Sequence, residues 1–145
     1  MLFPRLINRN VLSLYDIYID MKLIITESRI EKTAIHWLNK NFGDLEEFTT
    51  DRIPSAIFYR TKEGKEIIFE YDSYYETIYV SKDYVWLFLM DMFGFDDNQI
   101  TQLIDRWFQN RYNVIRLKDD ENIRATGQQR WDTLKQQRQY GYYNN

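Results

Sequence analysis

Few residues in this 145-residue chain have the types and spacing that chemistry requires. His36 is the single histidine and there is no cysteine, which excludes thiolate nucleophiles, disulfide frameworks, Cys/His zinc sets and paired-histidine zinc motifs. Beside Trp37 on a predicted helix flank, His36 reads as a partly exposed surface residue and not as a base. Asp51, Glu63 and Lys65 are of the types that hold a divalent cation and orient a water. That chemistry needs the Glu and Lys on a rigid strand, whereas Glu63-Gly64-Lys65 falls in a predicted hairpin turn. Asp51, Glu70, Asp72 and Asp91 would form a catalytic set only if the fold brought two or more of them into one pocket. Asp96-Asp97 is accounted for by helix capping, and Asp119-Asp120-Glu121 by a solvated linker. No glycine-rich phosphate loop follows a predicted strand. The expectation is a protein with no catalytic residues, no metal site and no cofactor.

Binding is better represented than catalysis. Aromatic residues make up 17% of the chain and twelve of them are tyrosines, a residue with an apolar body and a hydrogen-bonding tip. Tyr59, Tyr71, Tyr74, Tyr75 and Tyr79 fall within one predicted sheet. Tyr59, Tyr71, Tyr75, Tyr79 and Trp86 are the candidate protein interface. A stacking platform for single-stranded nucleic acid would need a basic groove as well, and only Arg60, Lys62 and Lys65 lie nearby in sequence. A cross-strand aromatic ladder would use the same residues without any partner.

Trp107-Phe108-Gln109-Asn110-Arg111 is similar to the recognition helix of the homeodomain family, whose hallmark is W-F-x-N-R. The resemblance implies Trp107 and Phe108 in a core, Asn110 reading a base, Gln109 tuning specificity, and Arg111 supporting the fold or contacting phosphate. It covers five residues. Tyr112, Asn113 and Val114 stand where that family continues with basic residues, and predicted strands precede the motif where the family has helices. Asp51 with Glu63-Gly64-Lys65 resembles the D…E-x-K pattern of metal-dependent nucleases. Met21-Lys22-Leu23-Ile24-Ile25-Thr26-Glu27 resembles the opening of many small tailed-bacteriophage proteins, which implies origin and no activity.

The elements that must position these groups follow from hydrophobic pattern and turn signals. The length is that of one domain able to bury a core without metal or disulfide. Residues 1–20 show no sustained period and are expected as a poorly ordered extension, with Met21 resembling a natural start. Leu23–Ile25 is a predicted short strand or lead-in. Ser28 and Glu31 have capping-box spacing, and Ile30, Ala34, Trp37 and Leu38 share a helical face that Gly43 ends. Strands are predicted at 56–61, 66–71 and 74–80, with a further one within 45–50. Gly64 is expected to supply the positive φ of the first turn. Alternation puts Ile67, Phe69 and Tyr71 on one face and Glu66, Ile68 and Glu70 on the other.

Ser81 is expected to cap a helix over 84–93 that is apolar nearly all round, hence deeply buried or at an interface. Asp96 and Gln99 predict a second capping box, with Ile100, Leu103, Ile104, Trp107 and Phe108 as the buried stripe. Val114–Leu117 is a possible further strand. The fold class is therefore α+β: an N-terminal helix, a three- to four-stranded antiparallel meander, and two consecutive C-terminal helices on one sheet face. Residues 21–117 form the predicted globular domain and 118–145 a charged, Gln-rich tail, either an exposed helix or disordered. The net charge is −3, but after Asn122 Arg124, Arg130, Lys135 and Arg138 face Asp132 alone. The function expected is non-catalytic association with a protein partner or with itself. The alternative is nucleic-acid binding through Gln109, Asn110, Arg111, Arg124 and Arg130, and a nuclease-like enzyme is a second. No apolar run is long enough to span a bilayer, and the absence of cysteine fits the cytoplasm, or a host cytoplasm or virion if the origin is viral.

Overall fold

A computed structural model describes residues 27–116 and 122–139. The expected extension at 1–20, the Leu23–Ile25 run and the tail residues 117–121 and 140–145 lie outside the described residues. The chain divides into two compact units between Ala34 and Ile35. Within the first, residues 27–34 are helical, and this helix, α1, continues to residue 42. Residues 27 and 28 are already helical, so Ser28 is not the N-cap that its spacing to Glu31 suggested. Gly43 ends α1 because no side chain fits there: a Cβ would come within 2.3 Å of the Asn39 carbonyl oxygen.

The second unit is α+β. Strands β1 (Glu46–Phe48), β2 (Ala56–Arg60), β3 (Ile67–Asp72) and β4 (Thr77–Ser81) lead to a π-helical turn at Lys82–Trp86. Helices α2 (Leu87–Phe93) and α3 (Asp97–Tyr112) follow, then β5 (Ile123–Thr126) and α4 (Gln129–Gln139). The sheet order is β1-β2-β3-β4-β5. The first four strands form the expected meander, and β5 joins parallel to β4. A parallel neighbour needs a long crossover, here supplied by α2 and α3.

Three local expectations change. Residues 114–116 are irregular and form no strand, with the Arg116 guanidinium donating to the Glu76 carbonyl at 3.1 Å. The left-handed residue in the β2–β3 turn is Lys65, at φ 57°, and not Gly64. A β-bulge between Tyr59 and Arg60 sets Arg60 opposite Ile67 while Tyr59 faces Phe69, leaving Ile68 as the extra residue. The bulge moves Ile67 off the face of Phe69 and into the cluster containing Phe58.

Both faces of the sheet are covered. On one, Tyr59 and Phe69 meet Phe108 of α3 edge-on or tilted, at ring separations of 5.0 and 5.2 Å. On the other, Ala56, Phe58 and Ile67 pack with Trp131 and Leu134 of α4. Every residue of the central strand β3 is buried as a result. Of the two forms expected for the tail, a helix is present at Gln129–Gln139, but it is not simply exposed: Trp131 and Leu134 are buried, as is Ile123 of β5.

Glu70 explains why α4 returns. It is 1% exposed on β3 and would be costly to desolvate alone. Arg130 grips it with two bonds of 2.9 and 2.8 Å, and the Trp131 indole donates a third at 2.9 Å. Arg130 also lies 3.8 Å over the Tyr79 ring. At the β1 edge Glu46 accepts from Lys65 at 2.8 Å and from Arg60 at 2.6 Å.

Trp131→Ala should lower unfolding free energy by ~3–5 kcal/mol, the usual cost of emptying a large aromatic site. Asp132→Ala, on an exposed neighbour, should change it by less than ~0.5 kcal/mol in the same urea titration. The Lys65 and Arg60 hydrogen bonds hold the Glu46 carboxyl down from 4.5 to about 2. Its contribution is complete above the ordinary carboxylate range and is lost as pH falls through about 2. The gap in urea midpoint between the native chain and Glu46→Gln should therefore be widest at neutral pH and close on acidification.

Candidate functional site

The helix after β4 starts as predicted, with Ser81 Oγ accepting from the Tyr84 amide at 3.1 Å. The chain turns once as a π-helix, continues as α2, and stops at Gly94 in the left-handed region at φ 67°. Val85, Trp86 and Leu89 point inward. Phe88 stacks on Trp37 at 4.1 Å and is half-buried, as are Phe93 and Phe95, which stack on one another at 5.8 Å. What remains faces water: Met92 is 66% exposed, Tyr84 45%, Met90 38% and Leu87 36%. A helix apolar nearly all round has buried a single one of its seven residues, Leu89. The all-round apolar pattern pointed to this helix as a possible interface, but the residue singled out from it, Trp86, is buried, and Leu87, Met90 and Met92, not singled out, are the exposed ones.

The five residues of the predicted sheet interface do not share a surface. Tyr59 is 1% exposed and packs against Phe108 and Tyr112. Tyr71 is buried on the same α3 face, its hydroxyl 3.5 Å from the Ile115 carbonyl. Tyr79 lies on the opposite face beneath Arg130. Trp86 is buried, with its indole donating to Asp97 Oδ1 at 3.2 Å. Tyr75 alone is exposed, in the β3–β4 turn, edge-on to the exposed Tyr74. The expectation of one tyrosine-rich sheet face is corrected: strand alternation divides the tyrosines, with Tyr59 against α3 and Tyr79 beneath Arg130 of α4.

The second predicted set is divided likewise. Arg124 is exposed on β5, paired in register with Tyr79, so it lies near Arg130. Gln109, Asn110 and Arg111 belong to α3, across the sheet. Gln109 donates to Asp105 at 2.6 Å, and the Arg111 Nε donates to the Gly43 carbonyl. The Tyr112 hydroxyl donates to the Phe42 carbonyl, and the Trp107 indole to Asn39 Oδ1 at 2.8 Å. Arg111 and Tyr112 thus satisfy carbonyls that the end of α1 leaves unpaired, and with Trp107 on the Asn39 side chain they clasp the two helices together. The clasp borders a cleft of about 340 Å³ lined by Ile35, Asn39, Leu103, Arg106, Asn110 and Arg111 among others.

The nuclease-like residues are not assembled either. Glu63 is exposed in the β2–β3 turn and Lys65 is paired with Glu46. Of the four scattered carboxylates, Glu70 is held by Arg130, and Asp72 accepts from the Tyr74 amide at 2.9 Å. Among the described residues no three His, Asp or Glu side chains are grouped to hold a metal ion. No described helix is long and apolar enough to cross a membrane.

Comparison with protein-family models, with curated proteins and with solved structures finds no match for this chain.

Burial pushes the Tyr59 phenol above its ordinary value, as it does those of Tyr71 and Tyr112. An acid whose folded-state value is raised favours folding below its unfolded value and loses that contribution as pH rises. Stability should therefore decline above pH 10. Tyr59→Phe should soften that decline while keeping neutral-pH stability within ~1 kcal/mol, as followed by near-ultraviolet circular dichroism in urea.

Proposed function

We propose that this protein is a non-catalytic interaction module that docks another polypeptide on the exposed apolar face of α2. The observation that carries this reading is a seven-residue helix with six apolar residues of which one is buried. Singly exposed apolar residues need no explanation, but a contiguous group on one element does. Covering a side chain such as Met92 or Leu87 is worth up to ~1.5–3 kcal/mol in apolar area. Methionines supply a surface that adapts to its partner. Tyr84, one turn earlier, adds an aromatic ring of the kind interfaces favour.

Placing p-benzoylphenylalanine at Leu87 or Met92 in the full chain, within its native source, should give a discrete photo-adduct. The same probe at the exposed Gln102 of α3 should not. Met92→Glu should leave stability within ~0.5 kcal/mol and reduce the adduct from position 87 by about tenfold or more, as interface anchors do. Equal labelling from all three positions, or none from 87 and 92, would overturn the proposal.

A further inference from the structure

Building on that docking role, we infer that the segment received by α2 is a cationic amphipathic helix of another protein, and not a second copy of this chain. The position of Asp91 carries the inference. It is the one charged residue of α2, and it is exposed. It follows Leu87 by four residues and Phe88 by three, and both spacings are side-chain neighbours on a helix surface. Leu87 and Met90 stand on one side of it, Phe88 and Met92 on the other, so its carboxylate sits within the apolar face and not at its rim. Among the described residues it has no hydrogen bond or ion pair. Any partner that covers the face must remove water from this carboxylate, which is costly unless a cation replaces the water.

The surroundings have the same sign. Between Lys82 and Asp97, Lys82 is the only cation, against Asp83, Asp91, Asp96 and Asp97. All four carboxylates are exposed, although Asp96 caps α3 and Asp97 accepts from Trp86. In a two-fold pairing each patch meets itself, so one Asp91 and its acidic rim would face another. Like charges at an interface are penalised, and the same field repels phosphate backbones. Seven residues of α2 span about 10 Å. That length suits two to three turns of a helix with apolar residues at i, i+3 and i+4 and a lysine or arginine between them.

The test uses the full chain and three fluorescein-labelled 18-residue peptides, read by polarisation and by the Met90 and Met92 methyl resonances. One peptide is an amphipathic Leu/Ala/Lys helix. The second has glutamate for lysine, and the third scrambles the first so that no stripe remains. The basic amphipathic peptide should bind at least tenfold more tightly than either control, shift both methyl resonances and weaken with salt. Asp91→Asn should lower its affinity about tenfold, and Glu63→Gln, which removes one charge from the β2–β3 turn, should not. Light scattering of the chain alone should give a monomer.

Equal binding of the scrambled peptide would reduce the effect to general charge attraction and overturn the inference. Equal binding of the acidic peptide would overturn it too, while leaving α2 as a docking face. A dimer abolished by Met92→Glu would make a second copy the occupant instead. If no peptide binds while photo-adducts still form at 87 and 92, the inference alone falls. If the adducts are also missing, the docking role falls with it.

Discussion

One carboxylate in the middle of the sheet constrains the whole second unit. Glu70 sits on the central strand with every neighbour on that strand buried. A charge so placed is tolerable only with partners that are near and well aligned. Those partners, Arg130 and Trp131, arrive from sixty residues later. They can arrive only if the chain crosses over through α2 and α3, adds β5 beside β4, and turns back across the second face. The ion pair does not by itself account for stability, since a well-packed apolar pair could do as well. What it supplies is a reason for one docking geometry, with the Trp131 ring filling the cluster of Ala56, Phe58 and Ile67 while its indole N–H is satisfied.

The opposite face is held by a different device. The end of α1 leaves backbone carbonyls that need donors, and α3 provides them from Arg111 and Tyr112, with Trp107 reaching the Asn39 side chain. Phe108 from the same turn enters the aromatic cluster with Tyr59 and Phe69. The aromatic residues of the five-residue string that resembles a DNA-reading helix play the core part that the resemblance implied. Of its polar residues, Arg111 meets the Gly43 carbonyl and Gln109 the Asp105 carboxylate, while Asn110 is exposed on the cleft.

Against this background α2 stands apart. Among the described residues no buried side-chain nitrogen or oxygen lacks a hydrogen-bond partner: Arg60 pairs with Glu46, Arg116 with Asp105, and Tyr71 with the Ile115 carbonyl. On α2 the apolar side chains outnumber the inward positions available to them. The phase of the helix follows from the π-turn, where Val85 and Trp86 take the inward places before Leu89 takes the last. Two methionines, a leucine and an unpaired aspartate remain on the outside, and the proposed partner chemistry is the complement of that set.

The pattern of residues determined a good deal alone. The existence and order of the three strands between Ala56 and Val80, the capping spacing of Asp96 and Gln99, the stop at Gly94 and the buried stripe of α3 depend on neighbours within a few positions, and each stands in the structure, although the strand predicted from Tyr74 begins at Thr77. What lay beyond it depends on distant contacts. Nothing local in Arg130 or Trp131 indicates a buried glutamate sixty residues earlier, so a charged, Gln-rich stretch reads as a tail. The bulge at Tyr59 and Arg60 reassigns Ile67 to the other face, because a period-two pattern cannot register an extra residue in its partner. Tyrosine marks surfaces that are half wet, yet only the covering of both sheet faces decided that Tyr59 and Tyr71 would be core. Conversely, the pattern of α2 allowed either burial or an interface, and the packing left it in water because Leu89 already occupies the space beneath.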